Sequence, residues 1–282
     1  MKKILIICLM FLAATLFSQT VLKMGLFPIY NAKTMIRLFA PIAQKLEEDT
    51  GYSIQLLSSP DKADFNNKTL NGYFDISWTN NSCYQEAREK GIICAVARGT
   101  PAFRGIVMVR KDSGIDSIEQ LKGKKIGAIG PYSLAGYLFL KNDLIDAGID
   151  INRDCLLEFN LKPEAIPFRV HDGVYDAGVF SEDTLIGSPL FESIRDDMKI
   201  IHSSIPIPHF PFTVKTDMDP VLRNSIQRSL NGISHESETF REILDDLNLE
   251  KIMAVDDSDY DEFVEFYRKS INYDSVGNQE KK

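Results

Sequence analysis

Short apolar runs alternate with amphipathic segments from Val21 onward, and each run defines an element. Residues 21–27 (VLKMGLF) read as a strand. Residues 33–48 carry apolar side chains at Met35, Ile36, Phe39, Ile42, Ala43 and Leu46, the spacing of a helix that Thr50-Gly51 closes. A strand over 53–57, a weak helix over 62–70, a strand over 74–78 and a helix over 82–90 follow, the last capped by Asn81 or Ser82. Strand and helix in alternation predict a parallel sheet covered by helices.

A second alternation follows the strand at 105–110 (GIVMVR) and a turn with a short helix over 112–122. It runs strand 125–129, helix 134–147, strand 156–159, helix 164–172, strand 176–180 and strand 198–201. The segment PIPHFP at 206–211 is extended, because proline and its predecessor avoid the α region. It leads into a strand at 212–215 that returns toward the first half. Amphipathic helices at 219–231, 237–247 and 259–270 follow, and the tail at 273–282 is expected to fray. The expected class is α/β with two lobes: a discontinuous lobe 1 (20–102 and 207–272) and a lobe 2 (103–206). Crossovers near 97–105 and 206–211 imply a hinge and a central ligand cleft. Ligands of open α/β sheets sit beyond the carboxyl ends of strands, so the loops at 28–34, 78–82, 102–105, 130–136, 163–164 and 180–184 are the candidate cleft.

Composition and charge narrow the class. The chain has 282 residues, 44% of them hydrophobic, ample for a sizeable core. Lys2 and Lys3 precede an apolar stretch over 4–17, the layout of a signal peptide at residues 1–19 that would deliver the rest to the periplasm. That stretch is short for a transmembrane helix, although an uncleaved anchor is the alternative. Without the leader, 30 basic residues face 40 acidic ones, a formal charge of -10 that suits neither nucleic acid nor anionic lipid. Beyond the leader, Cys83, Cys94 and Cys155 form no C-x-x-C pair and allow at most one disulfide. His171, His202, His209 and His235 are scattered without ligand spacing. No metal or other cofactor is expected. The acidic run at 256–259 lacks the glycine and distal glutamate of a calcium loop and reads as a solvated cap. With no nucleophile elbow or histidine dyad in the sequence, catalysis is not expected.

One short motif points to binding. GPYSLAGY (130–137) is a Gly-Pro turn that places Ser133 on the first turn of a helix, where free N–H groups and a hydroxyl can hold an anion.

The segments around it form a larger pattern. VRKDSGI leads through LKGKK to a strand and this helix start; PEAIPFRVHDGVYDAGVF carries Glu164 and Asp176; PIPHFPFTVKTDMDPVLRNSIQRSL follows. Together they resemble the phosphate-, phosphite- and phosphonate-binding proteins of ABC transporters, over about Met24 to Tyr267. The resemblance implies a two-lobed periplasmic binding protein of the second type that closes on a small-molecule ligand by hinge motion and delivers it to an ABC permease. A monomer is expected. The resemblance also implies that Ser82, Tyr84, Phe103 and the loop carrying Tyr132, Ser133, Leu134 and Ala135 face the cleft.

The chain departs from the family at the ligand positions. A helix start that usually reads Ser-Thr-Ser-Gly is Ser133-Leu134-Ala135-Gly136 here, and a Tyr-x-Ser loop is Phe103-Arg104-Gly105. The family's usual aspartate after the Val-Asp-Ala strand is Ser181. Each lost hydrogen bond costs roughly 1 to 3 kcal/mol, so four or five are enough to remove most of the ~8 kcal/mol of a micromolar complex. The ligand is therefore phosphonate- or phosphate-like, or a more apolar organic anion compatible with aromatic walls. Tyr30, Trp78, Tyr84, Phe103 and Tyr132 near the loops favour a ring, an alkyl group or a cation.

Several residues admit two readings. Arg104 is a bidentate clamp or a solvated crossover residue. Trp78 touches ligand or ends a buried strand. Asn80 and Asn81 donate amides to ligand, or Asn81 caps its helix. Glu164 meets a ligand amino group, or sits where any helix start prefers an acid. The alternative role is a periplasmic sensing module that partners a membrane sensor kinase.

Overall fold

The computed structural model describes residues 20–131, 133–159, 161–185 and 189–277. The first half builds β1 (Val21–Leu26), α1 (Ala32–Thr50), β2 (Ser53–Ser58), α2 (Lys62–Leu70), β3 (Ile76–Trp78), α3 (Asn81–Glu89) and β4 (Ile93–Thr100). Helix α1 buries Met35, Leu38, Phe39, Ile42, Ala43 and Leu46, starts at Asn31, whose side chain accepts from Thr34 N, and ends at Gly51. Gly51 adopts φ +77°, a left-handed cap that glycine takes without a Cβ penalty. Ile36, placed on the helical stripe by spacing, is 42% exposed.

The chain then crosses to β5 (Gly105–Arg110), β6 (Lys125–Ala128), a π-helical turn over Leu134–Leu138, α4 (Phe139–Asp146), α5 (Ile151–Asp154) and β7 (Leu156–Glu158). α6 (Ile166–His171), β8 (Ala177–Ser181), α7 (Pro189–Glu192) and β9 (Met198–Ser203) complete this half. It returns through β10 (Pro211–Lys215), α8 (Pro220–Leu230), α9 (Glu238–Asp246), β11 (Lys251–Ala254) and α10 (Asp261–Gly277).

Two sheets result, in the orders β11-β4-β10-β3-β1-β2 and β7-β6-β8-β5-β9. In the first, β1 is parallel to β2 and β3, and β10 inserts antiparallel between β3 and β4. In the second, β6 is parallel to β7 and β8, and β5 is antiparallel to β8 and β9. Each sheet has its own core: Met24, Leu26, Phe39, Ile76 and Phe212 in lobe 1, Val107, Val109, Ile126, Phe139 and Val179 in lobe 2.

Two elements absent from the sequence reading alter the topology. β4 continues to Thr100, so the first crossover starts at Pro101, and β11 adds an antiparallel edge. The two crossovers pair with each other, Phe103 N donating to Ile207 O (3.1 Å) and Ile207 N to Phe103 O (2.7 Å).

Candidate functional site

A cavity of about 940 Å³ is bounded by both lobes at these crossovers. Lobe 1 contributes one face of α3. Ser82, Gln85, Glu86 and Glu89 line the cavity at three-to-four spacing, so they share one side of the helix. Asn80 is the cap, its Oδ1 accepting from Cys83 N (2.8 Å), which corrects the expected cap at Asn81 or Ser82. Asn81 lies inside the helix, its amide donating to Pro208 O (2.8 Å) and fastening α3 to the second crossover. Both asparagines and Ser82 line the cavity, as do Lys62 and Asn66 of α2.

Lobe 2 supplies the second wall from the Gly130 turn. Ser133, Leu134 and Ala135 line the cavity, and Ser133 Oγ accepts from Gly136 N (3.1 Å), capping the helix start. The first turn is π-helical, with Leu138 N donating to Ser133 O (2.9 Å). Such single π turns recur at functional sites. The turn lies close against β5 because Gly105 has no side chain: a Cβ there would meet the Phe139 ring at 2.6 Å and Ala135 O at 2.8 Å. A serine at this position, usual in the resembling family, would clash. Ser181, at the end of β8, lines the cavity with an Oγ that has no partner among the described residues.

The crossovers add apolar surface from Phe103, Ile207 and Phe210. The Phe103 ring packs on His209 (4.9 Å), and Phe210 packs edge-on to Phe27 (5.6 Å), itself a lining residue. Burial pushes the His209 imidazole down to about 4, with Asp183 opposing the shift. Asp183 and Cys83 line the cavity as well, and desolvation raises the Cys83 thiol to about 11. Cys83, Cys94 and Cys155 are free thiols.

Five of the residues singled out in the sequence lie elsewhere. Tyr84 is fully buried on the opposite side of α3 from Ser82, its hydroxyl donating to Asp257 Oδ1 (2.6 Å) and its ring against Tyr260 (4.8 Å). Trp78 is 5% exposed and packs on Phe39 and on Phe210, so it backs a lining residue. Arg104 is half-buried, donates to Ser204 O and lies outside the cavity lining. Tyr30 is 42% exposed; its hydroxyl is raised by burial, by Asp246 and by Glu164. Glu164, exposed on lobe 2, lies outside the cavity lining. Tyr132 falls outside the described residues. The sequence reading in turn missed Lys62, Gln85, Glu89, Tyr267 and Arg268. Their periodicity marks them only as helix surface.

The model of the ABC transporter, phosphonate, periplasmic substrate-binding protein family matches residues 24–260. The chain belongs to this family. Phosphonate-family relatives are distant in sequence: the phosphate-import protein PhnD of Mycolicibacterium smegmatis is 22% identical over 271 residues, 87% of this chain and 84% of its own. PhnD1 from Prochlorococcus marinus in complex with methylphosphonate superposes with a TM-score of 0.68 at 16% identity, over 89% of this chain and 98% of that one. XAC2383 from Xanthomonas citri bound to ATP gives 0.70 at 18% identity, over 90% and 98%. The two-lobed binding-protein fold is therefore shared. A small-molecule ligand and a membrane permease are the partners this family implies. Among the described residues, no helix is long and apolar enough to cross a membrane.

Proposed function

We propose that the chain is the extracytoplasmic solute-binding component of an ABC uptake system, exported through its leader at residues 1–19. It captures an organophosphorus oxyanion that carries an apolar or aromatic substituent. The observation that carries this reading is the pairing of walls in one cavity. The starts of α3 and of the Ser133 helix, one from each lobe, offer N–H groups and the hydroxyls of Ser82 and Ser133 to an oxyanion. Phe27, Phe103, Ile129, Leu134, Ile207 and Phe210 offer apolar surface to the remainder of the ligand.

Size supports the substituent. About 940 Å³ lies near the upper end of the roughly 300–1,000 Å³ typical of sites that enclose drug-sized ligands, far beyond a bare tetrahedral anion. The paired crossovers at Phe103 and Ile207 serve as the hinge about which the lobes close. Thermal-shift titration with phosphate, methylphosphonate and phenylphosphonate tests the reading. A ligand at a hundred times its Kd adds about 2.7 kcal/mol, or roughly 5–10 °C for a protein of this size. No shift with any of the three would sink the proposed ligand class. Co-purification with a sensor kinase instead of a permease would sink the transport role.

A further inference from the structure

The family match ends at Tyr260, but the cavity wall does not. Helix α10 begins at Asp261 and supplies Tyr267 and Arg268 to the lining. It is rooted on lobe 1: Tyr260 is fully buried and donates to His209 O (3.0 Å), and Phe263 and Val264 pack with Tyr84, Ala87 and Ile93. Further along it reaches lobe 2, where Phe266 and Tyr267 pack against the second core and Lys269 pairs with Asp146 of α4. The helix thus spans both lobes beside the cleft.

Its two lining residues are held in place. Tyr267 is half-buried, its hydroxyl raised mainly by desolvation, and like Ser82 at the start of α3 it lines the cavity. Arg268 directs both Nε and Nη2 to Glu89 Oε1 at 2.7 Å, and Gln85 Nε2 donates to the same oxygen at 2.7 Å. That carboxylate oxygen therefore accepts two hydrogen bonds with Nη2 in ion-pair contact, and the guanidinium, with five N–H groups, keeps others for a ligand. Arginine's planar fork suits a carboxylate or a phosphorus oxyanion.

We propose that α10, which begins where the residues matched by the family model end, is the third wall of the binding site. Tyr267 closes the apolar side of the cavity, and Arg268 holds an acidic ligand group at its rim, so both determine which ligand is accepted. The ligand part of this proposal rests on the reading given under Proposed function; the wall does not. Glu89 is a positioning residue that aims Arg268.

Calorimetric titration of the full chain with methylphosphonate and phenylphosphonate, on wild type, Arg268→Gln and Tyr267→Phe, tests it. Arg268→Gln is expected to weaken whichever probe binds at least tenfold while the melting temperature stays within 2 °C, since an exposed ion pair contributes little stability. Tyr267→Phe is expected to weaken it severalfold. Affinities within twofold of wild type for both variants would overturn the proposal and leave the family ligand class intact. If wild type binds neither probe, that ligand class fails, and amide hydrogen exchange on Tyr267→Ala decides the wall. Faster exchange over both 81–84 and 133–136 supports it; unchanged exchange there overturns it.

Discussion

Gly136→Ala is the sharpest perturbation of the ligand loop. Gly136 lies in the π turn, where its N–H donates to Ser133 Oγ (3.1 Å) and its carbonyl accepts from Ile129 N (3.3 Å). A Cβ at this position would stand 2.6 Å from Ile129 Cβ and 2.7 Å from its Cγ1 and Cδ1. Ordinary carbon contacts lie at about 3.5–4.0 Å, so the turn must move away from Ile129. Overpacking of this kind costs about 1–3 kcal/mol. Alanine in a helix recovers roughly 0.5–1 kcal/mol of backbone entropy, and with three contacts this short setting the overpacking at the upper end of its range, the net loss is about 2 kcal/mol. For a protein of this size that lowers the melting temperature by roughly 4–8 °C in differential scanning calorimetry. The displaced turn carries Ser133, Leu134 and Ala135, so ligand affinity falls with it. A variant as stable as wild type, or more stable, would refute the close-packing argument, because propensity alone favours alanine.

Three further outcomes follow from the geometry. Tyr84→Phe removes a buried hydrogen bond to the Asp257 carboxylate, which about 1.5–3 kcal/mol of lost stability should report, with ligand affinity unchanged within twofold; a large affinity loss would return Tyr84 to the cleft. His209 stays neutral in the folded chain down to about 4, whereas the unfolded chain protonates it near the usual 6.5, so stability is full above 6.5 and falls as pH drops toward 4. That contribution is on the order of 3 kcal/mol, and His209→Gln should flatten the melting temperature over this window; an unchanged slope would contradict it. Cys83, buried and raised to about 11, should react with N-ethylmaleimide at pH 8 more slowly than half-buried Cys94, as site-resolved mass spectrometry would show; faster labelling of Cys83 would place it outside a closed cavity wall.

The long elements were legible because burial imposed a clear period on them. α1 shows it best, its stripe from Met35 to Leu46 reading as a helix from the sequence alone. β4 was not legible: Arg98 and Gly99 interrupt ICAVARGT just before the crossover, and its burial on both faces removes the alternation that marks a half-exposed strand. The cap of α3 lay one residue from its expected place, since two adjacent asparagines offer the same chemistry. For the site, Ser82, Phe103 and the Ser133 turn could be named from motif and loop position. Tyr84 could not be excluded that way, because only the rotation of α3 separates it from Gln85. Tyr267 and Arg268 carried no local signal. Their place at the cavity is a product of how α10 folds back over both lobes.

The proposed site combines an oxyanion grip with apolar walls in one cavity. Isothermal titration of the wild-type chain with phenylphosphonate against methylphosphonate measures that combination directly. Burying a phenyl group contributes about 1.5–3 kcal/mol, so phenylphosphonate is expected to bind roughly ten- to a hundredfold more tightly than methylphosphonate. Equal affinities, or tighter binding of methylphosphonate, would contradict the apolar walls, and no heat from either ligand would contradict the account as a whole.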